Sequence, residues 1–255
     1  MQGLESTEES AAHFIDYCRR NHGLLAARAD DHTGGNYLRL QGTQDIARGI
    51  ARLVGEQHIY SSHPVQSIHD EHAKVTICTS NGKTFVAKKV IVSVPTAMFR
   101  DIKFTPALPA ALPECCSNTK LGHYDKAIVC HDKPWCLTCF VNGSVGAEWA
   151  KQDPHARRRA VLEQLAKGYN IDRSSELWRP VEFFDQIWKA LSLRIPAIGH
   201  YVKYQYVHGK PVGNIHFVGT EYSDHWKGYM EGALTSGAQG AEEVMGALRV
   251  PESRL

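Results

Sequence analysis

A chain of 255 residues with 43% apolar and 22% charged content is long enough to bury the core of one large or two small domains, and its composition is ordinary for a globular protein. The net charge of +2 leaves no electrostatic footprint for nucleic acid or an anionic membrane surface. The run Arg157-Arg158-Arg159 sits in a helical pattern and reads as a solvated face. No apolar run approaches bilayer length, Met1 to Ser10 is too polar and acidic for a signal peptide, and seven unpatterned cysteines suit a reducing compartment.

Taken in order, Thr7 to Arg20 has helical spacing, with Ala11, Phe14, Ile15 and Cys18 on one face. Leu24 to Leu40 holds a Gly-centred turn that leads into a short strand. Gly42-Thr43 starts a helix through Val54, with Ile46, Ile50 and Leu53 predicted to point inward. Ile59 to Ser67 and Val75 to Cys78 alternate as strands, and Asn81-Gly82 predicts a two-residue hairpin from Val75–Ser80 to Lys83–Ala87. His69 and His72 flank a turn, and with no HExxH present no metal site is expected. Val90 to Pro95 is a continuous apolar run, which predicts a centrally buried strand.

Pro106 to Pro113 reads as a proline-spaced loop, and Cys115-Cys116 as structural. Leu121 to Cys130 leads to Lys133-Pro134-Trp135, and Lys126 reads on residue type alone as a strand-end charge. Cys136-x-x-Cys139 is a lone CxxC in an apolar segment and reads as a buried strand rather than a redox or zinc pair. Arg157 to Tyr169 is an amphipathic helix with Val161, Leu162 and Leu165 inward.

The remainder of the chain is organised around Gly213 to Glu221 and the helical segment beyond it. Ile215, Phe217 and Val218 predict a short buried strand that stops at Gly219. Ser223 and Asp224 are candidate caps, and Tyr229 to Leu248 takes helical spacing before Pro251. A strand that ends in glycine and delivers a helix N-terminus suits an anionic or electron-rich group, because unpaired N–H groups and the positive dipole end point at it together. Gly232, Gly237 and Gly240 each cost about 1 kcal/mol relative to Ala inside a helix, so the missing bulk has a packing use.

The string Val218-Gly-Thr-Glu221, Trp226-Lys-Gly-Tyr-Met-Glu-Gly-Ala233 and Ser236-Gly237 resembles the C-terminal flavin-binding motif of the flavin-dependent monoamine oxidases, the fungal ones in particular. The resemblance implies an α+β fold: a partial FAD-binding domain (amine oxidase/p-hydroxybenzoate-hydroxylase-like) from 42–95 and 212–248, a mixed-sheet substrate domain from 1–41 and 96–211, and a tail at 249–255. It implies FAD as cofactor, contacted by Val65 on the adenine side, Glu221 beside the strand end, and Gly228, Tyr229 and Met230 at the helix start. Tyr229 would also wall the aromatic cage for a neutral amine, and Lys126, placed by its spacing to Lys133-Pro134-Trp135, would hold a water at flavin N5. The implied reaction oxidises a primary or secondary amine to an imine and reduces O2 to H2O2. Trp226 reads as core.

The sequence contains no G-x-G-x-x-G, and set against the pattern of the family it resembles it is short between Trp135 and Leu137 and again between Trp188 and Gly199. No cysteine lies in the second stretch, so the flavin would be non-covalent. Pyrophosphate and ribose contacts of roughly 1.5–3 kcal/mol each are thereby lost, which weakens FAD binding by this chain alone. The alternative is a non-catalytic or partner-dependent remnant, with a homo-oligomer or a partner chain left open. Ser253-Arg254-Leu255 is a conservative variant of the peroxisomal Ser-Lys-Leu address; without it the expected location is cytoplasmic.

Overall fold

The computed structural model describes residues 7–26, 42–132, 136–187, 194–196, 200–204 and 206–249. The strand expected before Leu40, Lys133-Pro134-Trp135, most of the short stretch after Trp188, and Ser253-Arg254-Leu255 lie outside these residues. Two compact units form. The smaller joins Met1–His13 to Asn118–Tyr201, and the larger joins Phe14–Ser117 to Val202–Leu255.

The chain enters the larger unit through α1 (Ala11–Arg20), shorter than its predicted span, and then α2 (Gln44–Val54). No residue of α2 is buried, and Leu53 is 90% exposed. The inward face expected for Ile50 and Leu53 is therefore corrected. Periodicity identifies a stripe that wants cover, and the described residues supply none for it.

Strands β1 (Val65–Asp70), β2 (Val75–Thr79) and β3 (Thr84–Ala87) come next, then β4 (Val90–Val92), β5 (Lys103–Thr105) and α3 (Ala111–Ser117). The hairpin forms at Asn81-Gly82 but not as the predicted two-residue turn. Cys78 pairs with Thr84 and the Thr79 N–H donates to the Lys83 carbonyl, so Ser80, Asn81 and Gly82 make a three-residue loop with Gly82 at φ 83°. The strand predicted from Ile59 starts only at Val65, with a register shift between Val65 and Ser67. Helix α3 begins inside the expected proline loop; Pro113 falls in its first turn, where a missing N–H costs nothing. Cys115 and Cys116 are buried, and the Cys116 thiol donates to the Thr96 carbonyl at 2.9 Å.

In the smaller unit, β6 (Thr119–Leu121) and β7 (Tyr124–Cys130) lead to β8 (Cys136–Asn142), α4 (Gly143–Ala150), α5 (Pro154–Tyr169), β9 (Glu182–Ile187) and β10 (Arg194–Pro196). Helix α5 is the most locally specified element. Asp153 caps it by accepting from the His155 and Ala156 N–H groups, Pro154 takes its first position, and Asn170 closes it in the left-handed conformation. Val161, Leu162 and Ala166 pack with Ala127, Val129, Trp149 and Leu177 beneath the sheet β8-β7-β9.

The opposite face of that sheet is open: Lys126, Cys136, Phe140, Glu182 and Phe184 alternate with the packed positions and are exposed. Cys136-x-x-Cys139 is thus a strand but not a buried one, since the two side chains fall on opposite faces. Arg157 is not solvated either. Its Nε donates to Asp185 at 2.6 Å, and its carbonyl accepts from the Trp149 indole at 3.1 Å.

The chain returns to the larger unit through α6 (His200–Tyr204), β11 (Ile215–Phe217) and α7 (Met230–Arg249). That unit holds the sheet β3-β2-β1-β5 and a separate parallel pair, β11-β4. Ile68, Val75, Val92, Phe99, Leu108, Leu112, Ile215 and Phe217 form its core. The core explains why Thr96–Ser117 groups with this unit, together with the pairing of β5 to β1. Strand β4 is not the centrally buried strand its run of Val and Ile predicts. Among the described residues it pairs with β11 alone, and Ile91 is 41% exposed.

Two of the three helix glycines have the packing use that their cost implies. A Cβ on Gly240 would overlap the Val218 side chain, and one on Gly232 would overlap the Trp226 carbonyl and crowd Thr220 Oγ1. Among the described residues no heavy atom lies within 4 Å of a Cβ built on Gly237.

Candidate active site

Strands β4 and β11 run parallel, so their C-terminal ends and the loops after them lie on one edge, the position where open parallel sheets receive ligands. The two loops are tied together there. Glu221 Oε1 accepts from the Thr96 N–H at 2.9 Å and from the Thr96 hydroxyl. That hydroxyl's single proton goes to Glu221, so the Tyr222 hydroxyl, 2.7 Å away, donates to Thr96 Oγ1. Burial, then the neighbouring Glu221 carboxylate, holds the Tyr222 proton far more tightly than an ordinary phenol does. The His208 ring stands edge-on to Tyr222 at 4.7 Å. Burial pulls its pKa down to about 4 against the opposing pull of Glu221, so His208 is neutral at neutral pH.

From Gly219 the chain crosses to α7 through a turn stitched by two hydroxyls. Thr220 Oγ1 accepts the Gly228 N–H at 2.7 Å and donates to the Tyr229 carbonyl at 2.8 Å. Ser236, buried in α7, accepts the Gly219 N–H at 3.1 Å and so fixes the strand end to the helix. Gly228 adopts φ 89°, a conformation that favours glycine. Ser223 and Asp224 do not cap α7. Ser223 Oγ bonds within its own loop to His225, and Asp224 pairs with Arg20.

The last turns of α1 strap this loop. Arg20 Nε donates to Asp16 at 2.7 Å, the buried Lys227 ammonium lies 3.4 Å from the same carboxylate, and Asn21 Nδ2 donates to the Lys227 carbonyl at 3.2 Å. Burial lowers the Lys227 pKa, and Asp16 opposes the shift. The Tyr17 and Tyr229 rings stack at 6.4 Å and 23° with their hydroxyls 2.8 Å apart, and Trp226 packs edge-on to Tyr229 at 5.8 Å.

Of the residues named from sequence, Glu221, Gly228, Tyr229 and Met230 are gathered along this one turn, with Met230 half exposed at the start of α7. Val65 opens β1 in the four-stranded sheet of the same unit, paired with Thr79. Lys126 belongs to the smaller unit. It sits mid-sheet between Phe140 and Gln186, with its Nζ 5.3 Å from the Phe140 ring. Sequence reasoning missed Thr96, His208, Thr220, Tyr222 and the Asp16–Lys227 pair; Thr96 and Asp16 lie more than a hundred residues from their partners, so no local pattern could announce those contacts.

A helix N-terminus, a glycine turn and an aromatic wall suit the flat ring end of a flavin. Its pyrophosphate needs successive backbone N–H groups of the kind a G-x-G-x-x-G turn supplies, and the sequence contains no such motif. Among the described residues no cluster of His, Cys, Asp and Glu could hold a metal ion, and no helix is long and apolar enough to cross a membrane.

Fold and motif together define the class. The family described as flavin containing amine oxidoreductase matches residues 7–138 and 131–245, and the chain belongs to it. Among its relatives is the probable flavin-containing monoamine oxidase A of Dictyostelium discoideum, 30% identical, with 94% of this chain and 60% of the relative covered. The flavin-containing amine oxidase B of Canis lupus familiaris is 26% identical, over 98% of this chain and 55% of its own length. The chain therefore spans little more than half the length of these relatives. The alignment to the first runs to 283 positions, more than the chain has residues, so that relative carries internal stretches with no counterpart here. The fold is that of cyclohexylamine oxidase from Brevibacterium oxydans, with a TM-score of 0.89 at 21% identity over 98% of this chain and 62% of that one.

Proposed function

We propose that this chain serves FAD-dependent oxidation of a primary or secondary amine. The observation that carries the reading is the family match over nearly the whole chain, continuous through the turn that presents Gly228, Tyr229 and Met230. FAD, when bound, supplies the acceptor for two electrons and passes them to O2. Tyr229 offers an aromatic wall whose orientation is set by Tyr17 and Trp226. The N-terminus of α7 favours negative charge beside it. Glu221 and Val65 are proposed as further FAD contacts, and Lys126 as the residue that holds a water for flavin reoxidation.

A second reading, a non-catalytic or partner-dependent remnant, is favoured by one specific observation. The sequence contains no G-x-G-x-x-G, and among the described residues the parallel sheet is the pair β11-β4. Protein incubated with FAD and assayed for peroxide release from a panel of primary and secondary amines separates the two. Amine-dependent peroxide supports the first, and none from well-folded protein leaves the second. In an active preparation, Lys126→Met is expected to slow flavin reoxidation by O2 at least tenfold while leaving the anaerobic reduction step nearly unchanged. An unchanged oxygen rate removes Lys126 from the mechanism.

A further inference from the structure

Cys130 ends β7 and Cys136 begins β8, and the two are direct cross-strand partners in the ladder. Their sulfurs approach to 2.6 Å, on the open face of the sheet rather than in the core. Cross-strand positions of this kind fall within the Cα separation that a disulfide spans. The CxxC spacing misleads here: Cys139 lies on the other face, half-buried against the helices, and burial raises its pKa.

We infer that Cys130 and Cys136 form an oxidisable dithiol, a modification site that closes to a cross-strand disulfide when the chain meets hydrogen peroxide. Cys136 is the exposed member, and the Cys136 thiol beside Cys130 raises the Cys130 pKa, so the first attack falls to Cys136. The Cys136 thiolate attacks the O–O bond. An S–O bond forms, the O–O bond breaks, and hydroxide leaves as water. Cys130 sulfur then attacks the sulfenic sulfur, the S–S bond forms, the S–O bond breaks, and a second water leaves. Two thiols and one peroxide thus give one disulfide and two waters. The bridge closes one end of the sheet face on which Lys126 and Phe140 lie. The site requires only a peroxide and does not depend on the amine reaction.

The full chain, reduced, exposed to excess hydrogen peroxide, alkylated under denaturing conditions and digested with trypsin, yields Ala127 to Lys151 as one peptide, since Lys133 precedes proline. The expected product has lost two hydrogens and carries a single alkyl group, on Cys139. Cys139→Ser keeps the bridge, and Cys130→Ser leaves a Cys136 sulfenic acid that dimedone traps. Three alkylated cysteines after peroxide treatment, or a bridge from Cys136 to Cys139, would overturn the inference.

Discussion

Asp70→Ala is expected to destabilise the larger unit by about 3 kcal/mol. Asp70 ends β1 and is buried, and its carboxylate accepts from the Asn214 N–H at 2.7 Å, Asn214 Nδ2 at 2.8 Å and the His72 N–H at 3.0 Å. It thereby ties the four-stranded sheet to the start of β11, which delivers the candidate site. Removal leaves the buried Asn214 N–H without an acceptor, and a deprived buried donor costs more than the bond it made. Thermal unfolding should shift down by roughly 6–12 °C. Asp70→Asn keeps the size but turns an amide toward the donors and should recover only part of the loss.

The pH dependence has a definite sign. Burial pushes the Asp70 pKa up, but the hydrogen bonds from Asn214 and His72 outweigh it and leave the folded value below 3.8. A depressed carboxylate stabilises the fold fully above its unfolded pKa and loses that contribution as pH falls through the folded value. The gap between wild type and Asp70→Ala should be constant at neutral pH and narrow below 3.8. A gap that widens on acidification would show that the carboxylate is not held this way.

The second large effect is a pair of identical substitutions with opposite signs. Gly232→Ala drives a methyl group onto the Trp226 carbonyl and Thr220 Oγ1, both fixed by the turn they build, and should cost about 1–3 kcal/mol. Gly237→Ala meets nothing and should stabilise α7 by up to about 1 kcal/mol from helix propensity alone. Chemical denaturation of the two variants checks both. Equal effects would mean that the glycines serve α7 in some way other than close approach.

How much could be read from the sequence depends on the range of the interactions. The body of α5 was legible from the spacing of Val161, Leu162 and Leu165, but its start was placed at Arg157; the Asp153 cap and Pro154, which begin it three residues earlier, were not read. The Asn81-Gly82 turn was legible in position because φ > 0 at Gly82 is a local demand, but its loop is three residues long rather than two, which shifts the strand register by one. The stripe on α2 and the apolar run at Val90 gave their elements correctly but not their burial, since a pattern names a face without naming its cover. Within the site, the turn residues from Glu221 to Met230 were found through one contiguous motif. Thr96 against Glu221 and Tyr17 against Tyr229 were not, because the partners of each pair lie more than a hundred residues apart in the chain. The Cys130–Cys136 pair was hidden by the more familiar CxxC beside it.

The claim on which the functional account rests is that the turn from β11 into α7 receives a flavin ring at Tyr229. Titrating the purified chain with FAD while monitoring isoalloxazine absorbance and emission tests it directly. Saturable quenching with a shifted absorption band is expected, weakened about tenfold, or about 1.4 kcal/mol, in Tyr229→Ala. Free-FAD spectra at every protein concentration, from a chain that unfolds cooperatively, would contradict it.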